Sequence, residues 1–236
     1  MSGRASHPVV VGADGCRGGW LLVWTGGELG SDLTAERVDD LGPIVDRVRD
    51  GEVAVLAVDM PIGLLADRPR PCDIAARVVL GHRRSTVFPA PVRATLAADD
   101  YDEACRLSRR AHGKALSKQA YNLLPAIRRL DQLLEPGDAA SVVEAHPECA
   151  FARLAGEPLP SKHTVAGRER RLGLLDDAYP NSMSHLAANA GGRSLPLVDL
   201  IDAAVLTVTA RHVVAGSAVR LGGDLDPTGK PAQILY

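Results

Sequence analysis

The chain has 236 residues, of which 46% are hydrophobic and 24% charged, and its formal net charge is -2. That composition belongs to a chain that buries a real core and excludes a disordered one. A net charge so close to zero excludes a whole-protein field that would draw DNA or a membrane surface.

Residues 9–12 form a short β-branched run ending in Ala13-Asp14-Gly15, and residues 19–25 (GWLLVWT) form a second. The glycine-rich link Cys16-Arg17-Gly18 between them predicts a β-hairpin. Residues 28–38 are read as a third strand. Asp39 and Asp40 ahead of LGPIVDRVRD predict a capped amphipathic helix. Residues 53–59 (VAVLAVD) are nearly all apolar, as expected of a strand buried on both faces, and Met60-Pro61-Ile62-Gly63 ends it. Helices are expected over 72–80, 100–112 and 116–134, interrupted by a proline-bearing loop at 85–92. Residues 141–145 (SVVEA) predict another strand, stopped by Pro147. A charged helix is expected over 165–175 and a long apolar one over 197–215, before a tail at 222–236 rich in Gly and Pro. Three meander strands followed by helix-linked strands predict an α/β fold: a mixed five-stranded sheet with helices on its faces. The whole chain is read as one domain, 1–236, with a helical insertion at about 64–138 between strands 4 and 5.

Charge is unevenly placed along this order. Residues 61–175 hold 18 Lys or Arg against 13 Asp or Glu, and the rest of the chain holds 9 against 16. A basic middle between acidic flanks suits an anionic ligand beside a cation-holding centre, although solvated helix faces alone also produce it. Cys16, Cys72, Cys105 and Cys149 are scattered without a C-x-x-C pair, which argues against a zinc site or a disulfide framework and for a reducing cytoplasm. The first residues lack the apolar core of a signal peptide, and no apolar run is long enough to span a bilayer, so no membrane partner is expected.

The acids are the informative residues. Asp14 closes the first strand and Asp59 the buried one. A carboxylate at the end of a buried strand is costly unless it is paired or holds a cation. Asp favours turns, which accounts for one such residue but less comfortably for two at matching strand ends. Glu144 stands in an apolar strand that suits Glu poorly, and Glu144, His146 and Glu148 alternate as if to share one face until Pro147 bends the chain. Asp199 and Asp202 are three apart on an apolar helix and so share a face. Asp199 is also explained by its place in the first turn, whereas Asp202 is deeper and is not. Hard divalent cations such as Mg²⁺ and Mn²⁺ prefer oxygen ligands of this kind, and a pair of them activates water and stabilises the leaving oxygen in phosphodiester cleavage.

At these residues the sequence resembles an uncharacterised bacterial and archaeal family of predicted RNase H-like nucleases. The resemblance rests on GADGCRGGW (12–20), VDMPIG (58–63), RRSTVFPAP (83–91), LSKQAYNLLPAI (116–127), EAHPE (144–148), SKHTVAGRERRLGLL (161–175) and DLIDA (199–203). It implies an RNase H-like sheet with acids on the first strand, the fourth strand and a late helix. Those places are Asp14, Asp59 and Asp202, with Asp199 beside it. The D-x-x-D of the late helix also looks like that of RuvC-type Holliday-junction resolvases. Glu144 is a family position without a settled superfamily counterpart. The implied activity is that of a nuclease using Mg²⁺ or Mn²⁺, with Asp14, Asp59 and Asp202 as metal ligands and Glu144 and Asp199 as a further ligand or water-positioning groups.

The glycines of residues 12–19 do not make a dinucleotide loop, because the spacing is wrong and a strand follows. A similar acid-bearing hairpin occurs in sugar kinases and actin-like ATPases, but this chain has no second one to hold ATP. Arg83, Arg84, Lys114, Lys118, Lys162, Arg168, Arg170 and Arg171 are candidates for phosphate contact, with Arg83, Arg84, Lys118 and Lys162 foremost, and Phe88 and Tyr121 for base stacking. Ser85, Ser117 and the seven histidines show no nucleophile–base pair, so nucleophilic hydrolysis has little support. Two rivals to the nuclease remain: a nucleic-acid-binding module whose acids do not catalyse, and a nucleotide or phosphoester enzyme on the same sheet. The sequence leaves DNA against RNA open, and also the oligomeric state, a homodimer included.

Overall fold

The structure, a computed structural model, describes residues 7–27, 32–181, 183, 186 and 195–236. The chain divides into two compact units, one of Met1–Asp59, Ala140–Val219 and Leu235–Tyr236, the other of Met60–Ala139 and Arg220–Ile234.

The first unit holds a five-stranded sheet in the order β3-β2-β1-β4-β5. Its strands are β1 (His7–Cys16), β2 (Gly19–Gly27), β3 (Thr34–Val38), β4 (Val55–Val58) and β5 (Val142–Glu144). β1 pairs antiparallel with β2, and β2 with β3, while β1–β4 and β4–β5 are parallel. This is the mixed α/β sheet expected from the sequence. The hairpin is tighter and longer than expected, running to Cys16↔Gly19. Part of the expected third strand, residues 28–31, lies outside the described residues. The helices are α1 (Gly42–Arg49), α5 (Pro147–Ala155), α6 (Val165–Ala178) and α7 (Leu197–Val214). α5 is a correction: Pro147 does not merely stop β5 but opens a helix, since its fixed φ and missing N–H suit the first helical position.

α7 is buried nearly all round, from Leu200 to Leu206, and shares one core with Val10, Val55, Ala57, Val143 and Phe151. The large apolar faces of sheet and helix are removed from water together, which is what holds this unit.

The second unit contains α2 (Pro71–Val79), α3 (Tyr101–His112) and α4 (Lys118–Leu133), close to the span read as an insertion. Asp100 caps α3 by accepting from Glu103 N, and Ser117 caps α4 by accepting from Ala120 N. A small core of Ala104, Cys105, Leu116, Ala120 and Leu124 sits between them. The Gly- and Pro-rich tail forms a two-stranded sheet, β6 (Arg220–Leu225) and β7 (Pro231–Leu235), with Gly222 and Gly223 at positive φ inside β6, Gly229 at the turn and Pro231 at the first position of β7, where a missing donor is tolerated.

This unit is tied by buried ion pairs. Arg93 donates to both Asp131 oxygens (2.9 and 2.7 Å) and also pairs with Asp226. Lys230 pairs with Asp131 at 2.8 Å, and Asp226 accepts in addition from the backbone of Leu64, Thr228 and Lys230. Arg70 and Asp73 form a second pair, both nearly inaccessible.

Candidate functional site

The geometry begins with strand periodicity. Val10, Gly12 and Asp14 share one face of β1, and the register Gly12↔Ala57↔Val143 carries that face across β4 and β5. Asp59, two residues after Ala57, falls on it too, and its N–H donates to Ala13 O at 2.9 Å, extending the parallel pairing by one step. α7 lies against this face. A Cβ on Gly12 would stand 2.1 Å from Ala203 O and 2.9 Å from Leu206 Cβ, so only glycine admits the helix here. Asp202 immediately precedes Ala203, and Asp199 lies one turn earlier. The close approach at Gly12 therefore brings both helix acids toward the strand ends that carry Asp14 and Asp59.

These carboxylates feel one another. Burial pushes the Asp14 carboxyl well above its usual range, and Asp59, Asp202 and Asp199 push it further, against a downward pull from Lys162. Burial raises Asp59, with His146 and Lys162 opposing and Glu148 adding to the rise. Asp202 is driven by burial from 3.8 to about 6 despite its bond to Lys162. Asp199 is raised by burial and pulled down by Lys162. Burial in a low-dielectric site and like charge both disfavour the ionised form. Burial is the leading cause at all four acids, and only at Asp14 does like charge come ahead of the pull of Lys162. One Asp202 oxygen, Oδ1, is buried without any hydrogen-bond partner.

Lys162 supplies the positive charge inside the cluster. Its ammonium bonds Asp202 Oδ2, and although burial alone would lower its pKa, Asp202, Asp14 and Asp59 raise it. The loop that presents it is held by α6. Thr164 caps that helix by accepting from Gly167 N and donates its own hydroxyl to Ser161 O at 2.8 Å. A Cβ on Gly167 would stand 2.0 Å from Ser161 O, so this glycine lets the loop lie on the first turn.

Arg171 and Glu148 form the support that sequence reasoning missed. Arg171 is fully buried and donates from Nη2 to both Glu148 oxygens, at 2.8 and 2.7 Å. From Nη1 it donates to Pro160 O and Gly167 O, at 2.9 and 2.7 Å. One guanidinium thus ties the first turn of α5 to α6 and to the loop two residues before Lys162. Arg171 as a phosphate contact is therefore corrected: it is fully buried and both Nη groups are engaged inside the protein. Both residues lie in quoted motifs, EAHPE and GRERR, but 23 positions apart, so nothing local announced their pairing.

Other sequence-based expectations separate. Glu144 pairs in register with Val58, and Val58 with Ala13, which places it on the opposite face of the sheet from Asp14 and Asp59. The expected shared face of Glu144, His146 and Glu148 is therefore corrected, because α5 begins at Pro147 and turns Glu148 toward the acids. Cys149, beside them, has its thiol pushed up to about 12 by burial, Asp59 and Glu148, which makes it inert. Arg83, Arg84 and Lys118 belong to the second unit. Lys118 sits over the rings of Tyr101 and Tyr121, at 4.4 and 4.7 Å from their centroids, which engages it in cation–π contact. Tyr121 meets Tyr101 edge to face at 5.1 Å, and Phe88 packs on the same small core, so neither ring stands free.

Among the described residues no group of three or more His, Cys, Asp or Glu stands as a ready metal-holding set. The donor chemistry nevertheless fits a hard cation: clustered carboxylates raised by burial, one with a bare buried oxygen. No helix among the described residues is long and apolar enough to cross a membrane. No curated protein and no solved structure matches the chain. Residues 12–226, which include every acid of the cluster, match a family described as "Protein of unknown function (DUF429)". The chain belongs to that family.

Proposed function

We propose that this chain is an RNase H-like nuclease that hydrolyses phosphodiester bonds of nucleic acid with Mg²⁺ or Mn²⁺. The observation that carries the reading is the meeting of Asp14 from β1, Asp59 from the end of β4 and Asp202 from α7 on one sheet face, where burial and like charge raise all three. The strand order, with three antiparallel strands followed by two parallel ones, and the acids on the first strand, the fourth strand and a late helix, agree with the RNase H-like resemblance. Fold alone does not give function, so the acids bear the argument.

Asp14, Asp59 and Asp202 would hold the cation, and Asp199, one turn back, adds negative charge behind them. The cation supplies activation of water and stabilisation of the leaving oxygen. Lys162 holds a fixed positive charge beside the acids and suits a phosphate oxygen, while Arg171 fixes the loop that presents it. The charge of the second unit, 15 Lys or Arg against 11 Asp or Glu, favours a polyanionic partner, whereas the acid-bearing unit holds 12 against 18. Arg83 and Arg84 are the basic residues assigned to the strand backbone.

One observation favours a second reading. Lys162 already places a cation on Asp202, as in a binding module whose acids do not catalyse. That module would bind nucleic acid in a salt-sensitive way and cut nothing.

The test is cleavage of a panel of single strands, duplexes, RNA–DNA hybrids, junctions and free nucleotides with Mn²⁺, Mg²⁺ or EDTA. Cutting of polymers that needs the cation and falls by at least about 100-fold in Asp14→Ala is the expected result. Equal cutting by Asp14→Ala removes the assignment. Salt-sensitive binding without cutting by the folded wild type supports the binding module, and cutting of free nucleotides alone supports a small-molecule enzyme.

A further inference from the structure

The second unit contains a cavity of about 410 Å³ that the acid cluster does not use. Its size lies within the range of small-molecule sites, roughly 300–1,000 Å³. Pro69, Pro89, Pro91, Ile74, Val92 and Leu116 give it an apolar wall that asks for no hydrogen bonds. Arg77, His112 and Lys114 also line it. The carboxylate that lines it, Asp73, is already neutralised by Arg70 and accepts from Ala90 N at 2.9 Å. The lining is thus apolar on one part and cationic on another, with no acid charge left over.

The polar groups are arranged for binding rather than for chemistry. Ser108 donates its hydroxyl to Lys114 O at 2.8 Å, so His112 Nε2, 3.1 Å from Ser108 Oγ, is left to donate to that oxygen. A serine whose proton is committed to a carbonyl and whose histidine is a donor is no nucleophile–base pair. The Ser108–Lys114 bond instead fixes the turn that carries Lys114. Arg77 is held from the other side by one donor, Nη1 to Val87 O at 3.0 Å. Ser117, which also lines the cavity, accepts from Ala120 N and keeps its own proton to give.

We propose that this cavity binds a nucleoside monophosphate, with base and sugar against the proline and aliphatic wall and the phosphate at Arg77 and Lys114. An apolar body of ring size and a doubly charged head match the two parts of the lining. The ligand has two sources, a free nucleotide or the phosphorylated end of a strand, and the same contacts serve both. The site does not depend on whether the acid cluster cuts.

Calorimetric titration of the full chain with adenosine 5′-monophosphate, in EDTA so that cation-dependent binding does not enter, tests it. Adenosine is the uncharged control. The monophosphate binds at least about tenfold more tightly than adenosine, and Lys114→Glu removes that advantage while adenosine binds as before. Ala115→Trp, at an exposed lining position, blocks both ligands. Competition by a 5′-phosphorylated oligonucleotide but not its dephosphorylated form assigns the strand end as the source, and no competition assigns the free nucleotide. Binding of monophosphate and adenosine alike, monophosphate affinity unchanged by Lys114→Glu, or no binding at millimolar ligand in a folded protein overturns the proposal.

Discussion

Two charged clusters, one in each unit, handle buried carboxylates in opposite ways. Around Arg93 and Lys230 in the second unit, Asp131 and Asp226 accept enough charge-assisted hydrogen bonds to hold their pKa values below the usual range, although burial by itself would raise them. Around Lys162 in the first unit, Asp14, Asp59 and Asp202 share one ammonium and are raised. The first arrangement stabilises the fold, because ionised acids there meet partners they lack when unfolded. The second costs stability, because ionised acids there are worse off than in water. Acids kept at such a cost make the first cluster the candidate site of the proposal, and the satisfied cluster marks architecture.

Substitution of the acids separates the two clusters most strongly. Asp131→Ala leaves Arg93 and Lys230 without their shared partner and costs about 3–5 kcal/mol, read as loss of hydrogen-exchange protection across α4 and β7. A cost below about 1 kcal/mol would make the ionic cluster ornamental. Gly12→Ala in the first unit forces α7 off β1 and costs about 1–3 kcal/mol, read by chemical denaturation, with metal-dependent cutting lost as the acids part. Asp14→Asn acts in the opposite sense to Asp131→Ala. It removes a repelled charge and raises the denaturation midpoint of the first unit in EDTA at pH 8, while cutting is abolished. Destabilisation in that variant would contradict the picture of an acid kept at a cost.

pH sharpens the contrast more gently. The folded protein holds a proton on Asp202 more tightly than the unfolded chain does, so this residue lowers stability as pH rises from 3.8 to about 6 and levels off above. Asp131 and Asp226 have depressed values, so their contribution is present above the ordinary value of 3.8 and is lost as pH falls through the folded ones. Both tryptophans, Trp20 and Trp24, lie on β2, so their fluorescence follows the first unit alone, while amide exchange follows both. Denaturation in EDTA is expected to show the second unit gaining as pH rises toward 3.8 and the first weakening as pH rises from 3.8 to about 6. Arg83→Glu has the smallest expected effect: no change in fold and a reduced salt slope for nucleic-acid binding.

Asp14 and Asp59 were legible because each follows an apolar run that a carboxylate enters only at a cost. Asp202 was legible because capping does not explain an acid that deep in an apolar helix. The face of Glu144 was not legible, because it depends on the register with β4, and that of Glu148 was not, because Pro147 starts a helix there. Lys118 read as a phosphate contact because one of its ring partners, Tyr101, comes from a different helix, although Tyr121 stands three residues along its own.

The sequence by itself determined the five strands of the main sheet and their order, most of the helices though not α5, and which acids are out of place in their surroundings. Periodicity and transfer free energy act locally and can be read residue by residue. Only the tertiary structure decided which acids share a face, that Arg171 is spent on Glu148 and Pro160 rather than offered to solvent, and that Lys162 stands on Asp202. Those outcomes depend on strand register, on the approach of α7 at Gly12 and on ion pairs between residues far apart in sequence. Such contacts have an energy only once the chain has brought their partners together, so no local pattern contains them.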